Sequence, residues 1–335
     1  MRDTDTTPVP ALGDVFARRY RLLERLPEGG GRLFRARDEI LARDVAVKVF
    51  EVDPAAAPDS RRRLAGARML TALDHPALVT IYDAHVGHGG EGYLVMEFIH
   101  GPTLRQHLEK RGPLSPPLAA AILRDVALGL AAIHDLGIVH RHLTAENVLL
   151  RPLRNAGRPF RGILADFGVT HLLGERAPET PVDDREYLPP ERLHGEEPHA
   201  ASDIYALGQL AMEALTAERP LSGGAVQELL LAPLSYDPEI PTRFGYGWEL
   251  LLTAMTDPDP DARPTAIEVA ELAIELAEGS AVAAPGPVAE AAPDEPDESA
   301  AGAEPVAALR AVHQARETAT RRRRPPIWAW VTHYR

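Results

Sequence analysis

The stretch from Val139 to Leu150 reads VHRHLTAENVLL. It follows a segment, Leu118–His134, in which apolar residues recur at helical spacing. His140, Arg141 and His142 lie close together in this stretch, so imidazole and guanidinium groups are concentrated in a connecting loop. Loops between regular elements carry a large share of binding and catalytic residues. This loop is therefore where we expect the chemistry of the protein.

Five further motifs accompany this stretch in a fixed order along the chain. A short motif alone is weak evidence, whereas an ordered set spread from about Tyr20 to about Leu276 is strong. The set resembles the motifs of the protein kinase family, and its residues are most similar to those of bacterial serine/threonine kinases. Around the loop residues His140 to Asn147, the matching segments are Val45-Ala46-Val47-Lys48, Asp166-Phe167-Gly168, Pro189-Pro190-Glu191, Ser202 to Gly208, and Arg263 as the expected partner of Glu191.

The resemblance implies an α+β, two-lobed protein kinase fold, with a small antiparallel β-sheet lobe that carries one helix and a larger, mainly helical lobe. The residue pattern of the chain agrees with this division. Strand-like runs occupy Tyr20–Leu26, Arg32–Arg37, Asp44–Phe50, Leu78–Ala84 and Tyr93–Phe98, and a helical stretch covers Ser60–Ala72. Helical spacing then dominates in Leu118–His134, Ser202–Thr216, Trp248–Thr256 and Thr265–Leu276.

Composition narrows the class of protein. The chain has 335 residues, a formal net charge of −13 and no cysteine, so disulfides and thiolate metal sites are excluded. The acidic balance argues against general nucleic-acid binding. The N-terminus is polar, so we expect no signal peptide, and we expect no spanning helix because no stretch reaches ~20 apolar residues. These features favour a cytoplasmic protein.

The chain divides into four parts by composition. We expect a flexible leader over residues 1–17 and a kinase-like domain over 18–278, with the N-lobe at 18–98 and the C-lobe at 101–278. Residues 279–304 are dominated by Ala, Pro and acidic residues, which cannot bury enough apolar surface to fold, so this part is predicted to be a disordered linker. Residues 305–335 begin with helix-forming composition and end with basic and aromatic residues.

The end of the chain has two interpretations. Four consecutive arginines, Arg321 to Arg324, precede Trp328 and Trp330. Clustered arginines gain ~1 kcal/mol each at an anionic membrane surface, and tryptophan prefers the membrane interface. Peripheral contact with a membrane surface is therefore one interpretation, and a solvated tail is the other.

The resemblance also implies a site for ATP and Mg²⁺. Apolar residues would enclose the adenine, a hinge would follow them, glycines would cover the phosphates, Lys48 would pair with the phosphates, and two oxygen ligands would hold the metal. The residues implied are Leu33, Ala46 and Leu149 for adenine, Met96, Glu97 and Ile99 for the hinge, Gly29, Gly30 and Gly31 for the cover, and Asn147 and Asp166 for Mg²⁺. His140 is expected to be a packing residue in a stack with Leu70, Ile81 and Phe167 over Asp203.

Lys48 lacks its usual partner. The family pairs this lysine with a glutamate on the helix that follows, and the position that corresponds is Gly66. Three alternatives remain for the lysine side chain: Glu28 in the glycine turn, Asp166, or solvent.

The catalytic loop departs from the family pattern as well. His142 stands at the position of the catalytic aspartate, and Thr144 stands where the family has a lysine, while Arg141 is retained. General-base catalysis is typically worth ~10²–10⁴ in rate. An imidazole can accept a proton but is bulkier than a carboxylate. Asp184, in the segment that follows, is a candidate partner of His142; two unrelated exposed residues are the alternative.

Three functions follow as alternatives. The first is a signalling module that binds ATP with Mg²⁺ and a partner protein but has weak or no phosphotransfer, as in a pseudokinase. The second is an active serine/threonine protein kinase that uses an altered catalytic loop, with His142 as the base and a protein as the substrate. The third, from another class, is an interaction scaffold without nucleotide binding.

Overall fold

The structure is a computed structural model, and it describes residues 11–27, 32–52, 73–86, 91–154, 157–168, 173, 186–219, 240 and 242–282. The predicted helix at 60–72, the glycines at 29–31, nearly all of the predicted linker and the whole C-terminal tail lie outside these residues. For them, the expectations from the sequence stay predictions.

The N-terminal part of the chain forms a six-stranded antiparallel sheet in the order β1-β2-β3-β4-β6-β5. The strands are β1 Val15–Phe16, β2 Tyr20–Arg25, β3 Leu33–Asp38, β4 Arg43–Glu51, β5 Ile81–Val86 and β6 Glu91–Glu97. The predicted leader was wrong at its end, because Val15 and Phe16 pair with Arg21 and Tyr20. Only two apolar residues occur here among polar neighbours, so the sequence pattern did not predict this short edge strand.

Strand β4 shows why the sheet has two different faces. Side chains alternate along a strand, so Val45 and Val47 point to one face, where both are fully buried. That face forms a small core of its own with Tyr20, Leu22 and other residues. Ala46 and Lys48 point to the opposite face, and Ala46 there belongs to the main core. The lysine is thereby aimed at the rest of the molecule.

The C-terminal part is mainly helical. Its helices are α1 Leu104–Arg111, α2 Pro116–His134, α3 Pro190–Leu193, α4 Ala200–Thr216, α5 Tyr246–Met255 and α6 Ala266–Val282, and a two-stranded ladder joins β7 Val148–Pro152 to β8 Phe160–Leu164. Helix α6 continues past 278, where the sequence placed the end of the domain. The strand predicted to begin at Leu78 begins at Ile81 instead, and Leu78 forms an isolated bridge with Leu164.

Helix α2 is the centre of the larger lobe. Pro at its first turn supplies a pre-set φ angle at a position where no intrahelical donor is needed. Ten of its residues are buried, and it packs against α6, β8 and α4. By length and composition alone α2 could cross a membrane, contrary to our expectation from the sequence. Over half of this apolar stretch, however, is buried inside the domain. The two-lobed α+β fold expected from the sequence is confirmed.

Candidate functional site

A cleft of about 290 Å³ lies between the sheet and the helical lobe. Leu33 and Ala46 from the sheet line one wall, and Leu149 from β7 lines the other. Met96, Glu97 and Ile99, which the sequence assigned to the hinge, line it as well. Lys48, Asn147 and Asp166 line the polar end. Thus every described residue that the sequence assigned to nucleotide or metal lies in one cavity, and only the three glycines at 29–31 lie outside the described part.

Close contact between the hinge and β7 sets the width of this cleft. A Cβ atom on Gly101 would lie 2.1 Å from the carbonyl oxygen of Leu150, so no larger residue fits there without displacing the backbone. The guanidinium of Arg151 donates to Glu97 Oε2 at 2.7 Å and joins β7 to the hinge across the lobes. The backbone of the hinge is therefore held against the helical lobe.

Lys48 contacts the carboxylate of Asp166. Its Nζ donates to both carboxylate oxygens, at 2.7 Å and 2.8 Å. Burial alone would raise the pKa of Asp166, but the charge and hydrogen bonds of Lys48 outweigh it, and the pKa is lowered. Of the alternatives for Lys48 given by the sequence, the structure thus shows the contact with Asp166, and Asp166 is held as a carboxylate.

The backbone around Asp166 has an unusual conformation. Asp166 has φ 58° and Gly168 has φ 64°. Both values lie in the left-handed region, which residues other than glycine rarely adopt. At Gly168 a Cβ atom would also lie 2.6 Å from the carbonyl oxygen of Val139. Phe167 between them is 1% exposed. The buried phenylalanine and the close approach at the glycine together hold the Asp166 carboxylate towards the cleft.

Asp203 in α4 holds the loop that carries His140 and Arg141. Its carboxylate accepts from the backbone N–H groups of His140 at 2.7 Å and Arg141 at 2.9 Å, and from His134 Nε2 at 2.8 Å. Arg141 has φ 74°, a strained value for a residue with a side chain. These bonds to a 2% exposed carboxylate hold that conformation in place.

His140 is a packing residue, as predicted. It is 1% exposed, and its Nε2 lies 3.1 Å from the carbonyl oxygen of Ala165. Burial lowers the pKa of His140, although Asp203 and Asp166 act in the opposite direction. A neutral, buried imidazole fills the space behind the loop.

The ring of His142 faces Asn147. The Asn147 amide nitrogen donates to the backbone carbonyl of His142 at 2.8 Å and lies 3.3 Å from His142 Nδ1. Because the first bond fixes Nδ2 as the donor end of the amide, His142 Nδ1 must accept, and the proton of the neutral ring is then on Nε2. The Asn147 amide presents its oxygen as the acceptor end.

The other residues predicted for catalysis line a second, smaller pocket. Arg141, His142 and Thr144 line a separate small pocket with residues from Tyr187 to Pro189, and Lys48 does not. Thr144 is 2% exposed, and among the described residues its Oγ1 has no hydrogen-bond partner. The sequence named these three residues together with Lys48 as catalytic candidates, and their joint role stays a prediction. Asp184 lies outside the described residues, so its pairing with His142 stays a prediction.

Sequence reasoning missed a buried polar cluster beside the cleft. Arg105 donates to Glu146 Oε1 and to the Tyr187 hydroxyl, each at 2.8 Å, and it also pairs with Glu213, which accepts from Tyr187 as well. Burial raises the pKa of Tyr187 and of Glu213. Glu213 is an acidic residue on the otherwise apolar face of α4. This position could have indicated a buried polar cluster from the sequence. The cluster ties α1, the catalytic loop and α4 together.

The pair expected between Glu191 and Arg263 is confirmed. Arg263 donates to both carboxylate oxygens of Glu191, at 2.7 Å and 2.9 Å, and its side chain is fully buried. Burial would raise the pKa of Glu191, but the hydrogen bonds from Arg263 outweigh it and the pKa is lowered. Ser202 also donates to this carboxylate, at 3.0 Å.

Comparison with known proteins agrees with the geometry. A family model described as a protein kinase domain matches residues 20–273. The serine/threonine-protein kinase pkn2 of Myxococcus xanthus is 35% identical over 261 residues, which cover 73% of this chain and 31% of that protein. The serine/threonine-protein kinase PknB of Mycolicibacterium smegmatis is 36% identical over 235 residues, which cover 67% of this chain and 37% of that protein.

A third relative, a probable serine/threonine-protein kinase of Corynebacterium efficiens, is 32% identical over 303 residues, covering 84% of this chain and 45% of that protein. The chain thus matches less than half the length of each of these relatives. The match covers both lobes and every motif around the cleft. The chain belongs to the protein kinase family, in its bacterial, eukaryotic-like serine/threonine branch.

Proposed function

We propose that the chain is a kinase-like signalling module that binds ATP with Mg²⁺ and transfers phosphate weakly or not at all. The observation that carries the proposal is the convergence of Lys48, Asp166 and Asn147 at one end of an apolar-walled cleft. His142 beside them supports the second half of the proposal, because it stands where the family has its catalytic carboxylate.

The cleft has the features of a small-ligand site. Such sites are mostly apolar, with a few convergent polar groups that fix orientation. Leu33, Ala46 and Leu149 offer flat apolar surface on both sides of a planar base. The backbone at Met96 to Ile99 supplies amide donors and acceptors for its edge. Adenine at the hinge would direct the phosphates towards Lys48.

The metal ligands fit Mg²⁺ by their chemistry. Mg²⁺ is usually bound by one or two protein oxygens, with water and phosphate oxygens completing its shell. Asp166 supplies a carboxylate held in its charged form, and Asn147 supplies an amide oxygen whose orientation is fixed by the bond from Nδ2 to His142. Mg²⁺ at these ligands would neutralise charge on the phosphates. Among the described residues, no group of three or more His, Cys, Asp or Glu side chains is placed to hold a metal ion without further ligands.

Lys48 has two uses in this scheme. Without nucleotide it neutralises Asp166. With nucleotide it would donate to phosphate oxygens, and Asp166 would then be free to bind the metal.

The orientation of His142 supports weak phosphotransfer. A general base needs an unprotonated nitrogen within reach of the substrate hydroxyl. In the neutral ring that nitrogen is Nδ1, and it already accepts from Asn147. The Nε2 atom carries the proton and can only donate. The imidazole can therefore orient a substrate, but it is poorly placed to accept the proton that a carboxylate would take.

Restoring the family's residues tests the proposal. We expect no appreciable phosphotransfer by wild type or by His142→Asp alone, because groups that act together are strongly non-additive. Transfer should appear only when Gly66→Glu, His142→Asp and Thr144→Lys are combined. Asp166→Ala added to this triple variant is the control and should abolish transfer. Strong transfer of radiolabelled phosphate to Ser or Thr by wild type would contradict the proposal.

An active serine/threonine kinase is the second candidate. The names of the relatives favour it, since all three are described as serine/threonine-protein kinases. It predicts transfer by wild type that is lost in His142→Ala. A scaffold without nucleotide binding, the third class, predicts no melting shift with ATP. Transfer and melting measured on one preparation separate all three functions.

A further inference from the structure

The hairpin of β7 and β8 and the neighbouring face of α2 carry five arginines. We call this surface the arginine band, and its members are Arg124 on α2 and Arg151, Arg154, Arg158 and Arg161 on the hairpin. Arg151 donates to Glu97 Oε2 at 2.7 Å, and Arg158 donates to Asp125 Oδ1 at 2.9 Å. The other three make no ion pair within 4 Å among the described residues. Five guanidinium groups paired with two carboxylates leave an excess of three positive charges on this surface.

The five side chains belong to one continuous surface. Arg158 also donates to a backbone carbonyl of α2 at 3.0 Å, so the tip of the hairpin lies against the turn of α2 that carries Arg124. Arg154 is exposed at that tip. Arg161 lies directly opposite Arg151 in the two-stranded ladder, and opposed residues have their side chains on the same face. The band therefore runs from α2 over the tip of the hairpin towards the hinge.

The band stabilises the fold poorly by itself. Like charges directly opposite each other in a ladder are destabilising, and Arg151 and Arg161 are such a pair. The chain as a whole has a formal net charge of −13, so this basic surface stands against the overall balance. A concentration of one sign of charge attracts groups of the other sign. The surface is thus suited to an acidic, extended segment rather than to a single ion.

The chain itself carries such a segment shortly after α6. Residues 283–304 contain six acidic residues and no Lys or Arg. Four of the six stand within five positions, namely Asp294, Glu295, Asp297 and Glu298. Prolines precede and interrupt this run, and proline favours an extended backbone that rises about 3.1 Å per residue. In that form the four carboxylates would span about 12 Å, which suits a row of separate guanidinium groups.

The acidic residues are within reach of the band. Helix α6 and the hairpin both pack against α2. The structure describes α6 as far as Val282, and Asp294 follows it by twelve positions. That length of extended chain reaches about 40 Å, whereas α2, with 19 residues, is only about 28 Å long. The tether is therefore long enough to bring the carboxylates to any part of the band.

We propose that residues 290–298, the acidic segment, dock on the arginine band of the same chain. Their carboxylates would pair with Arg124, Arg154 and Arg161, the three band members without a counter-charge in the described part of the chain. Exposed ion pairs are individually weak, but a short tether raises the effective concentration of the segment to about millimolar. Docking would place the chain that follows α6 beside Arg151, which holds the hinge residue Glu97. It needs no nucleotide, so its failure is distinguishable from failure of ATP binding.

The test uses the whole chain, whose lack of cysteine allows labels to be placed at will. Pro159→Cys on the exposed hairpin and Ser299→Cys beside the acidic segment carry two spin labels, and pulsed dipolar spectroscopy measures their separation without nucleotide. We expect a population of short distances at about 0.01 M salt, which disappears at about 1 M salt because charges are then screened within about 3 Å. One and the same broad distribution at both salt concentrations would overturn the inference.

Matched variants of the labelled chain locate the contact. Arg154→Gln with Arg161→Gln should remove most of the short distances, and Arg154→Lys with Arg161→Lys, which keeps the charge, should retain them. Arg18→Gln with Arg25→Gln removes the same charge from exposed positions of the sheet lobe and should change nothing. Short distances that persist in the first variant, or that are lost equally in the control, would overturn the assignment to the band.

A competition measurement separates the chain's own segment from an outside partner. A fluorescent peptide of residues 288–300 should bind severalfold more tightly when the segment in the protein is neutralised by Asp294→Asn, Glu295→Gln, Asp297→Asn and Glu298→Gln together, because the band is then vacant. Equal affinity for this variant and wild type would mean that the segment does not occupy the band, and the proposal would fail.

The basic run Arg321 to Arg324 is another possible partner of the acidic segment. Replacing these four arginines by glutamine in the labelled chain should leave the short distances in place. If the replacement removes them while the band variants keep them, the acidic segment pairs with the basic run, and docking on the band is overturned.

Discussion

The pair of Lys48 and Asp166 offers a quantitative test of the site without any ligand. Its nitrogen and oxygen atoms lie 2.7 Å apart, and the two side chains are 16% and 30% exposed. At an effective dielectric of 20 the gross attraction at this distance is about 6 kcal/mol. Desolvation of both groups cancels most of it. What remains should be close to the about 1.5–3 kcal/mol of a hydrogen bond to a charged group.

A double-mutant cycle measures this quantity. Lys48→Met and Asp166→Asn, alone and together, are compared by urea unfolding at neutral pH and low salt without nucleotide. We expect a coupling free energy of about 1.5–3 kcal/mol. Lys48→Met should destabilise wild type more than it destabilises the Asp166→Asn variant. In wild type the substitution leaves the Asp166 carboxylate without its counter-charge.

The chain contains a matched control. Arg21 and Glu39 have the same 2.7 Å separation, but their side chains are 46% and 41% exposed. An exposed pair is typically worth about 0.2–1 kcal/mol. The Arg21→Met and Glu39→Gln cycle should therefore give a smaller coupling that vanishes in high salt. A Lys48–Asp166 coupling no larger than that of this control would refute the account of the site's electrostatics.

Three shorter predictions concern stability. A hydrogen bond from Arg19 lowers the pKa of Asp38 to about 2, below its unfolded value of 3.8. The ionised Asp38 should therefore stabilise the fold above pH ~4, and this stabilisation should be lost as the pH falls towards 2. Asp38→Asn should flatten the dependence of urea unfolding on pH between these values. Arg263→Ala leaves Glu191 buried without its counter-charge and should cost about 3–5 kcal/mol, measured by calorimetry, whereas a loss under 1 kcal/mol would contradict its structural role. Gly168→Ala places a Cβ atom at 2.6 Å from backbone at positive φ and should destabilise by more than 1 kcal/mol, measured by thermal melting.

The sequence predicted the fold and the walls of the cleft because local patterns carry them. Strand alternation in β4 was enough to put Ala46 and Lys48 on the same face. The partner of Arg263 followed from the family motif, since both residues lie in segments with a recognisable order. These are cases in which a short segment determines its own geometry.

Other parts depend on contacts that a linear pattern does not reveal. Arg105 reaches Glu146, Tyr187 and Glu213, which are separated from it by 41, 82 and 108 residues. Thr144 was assigned to the catalytic machinery, but the turn of the loop places it in the separate pocket. The side of a loop on which a residue emerges depends on backbone angles such as the φ of 74° at Arg141, and those are held by Asp203 from α4.

The most direct test of the central claim is the melting shift of wild type with ATP, with and without Mg²⁺. The account predicts that ATP stabilises the protein and that Mg²⁺ increases the effect, to roughly 2.7 kcal/mol at 100-fold over Kd. Asp166→Ala should lose the Mg²⁺ increment while keeping part of the effect of the nucleotide. No shift with millimolar Mg-ATP in wild type would contradict the claim that this cleft binds ATP.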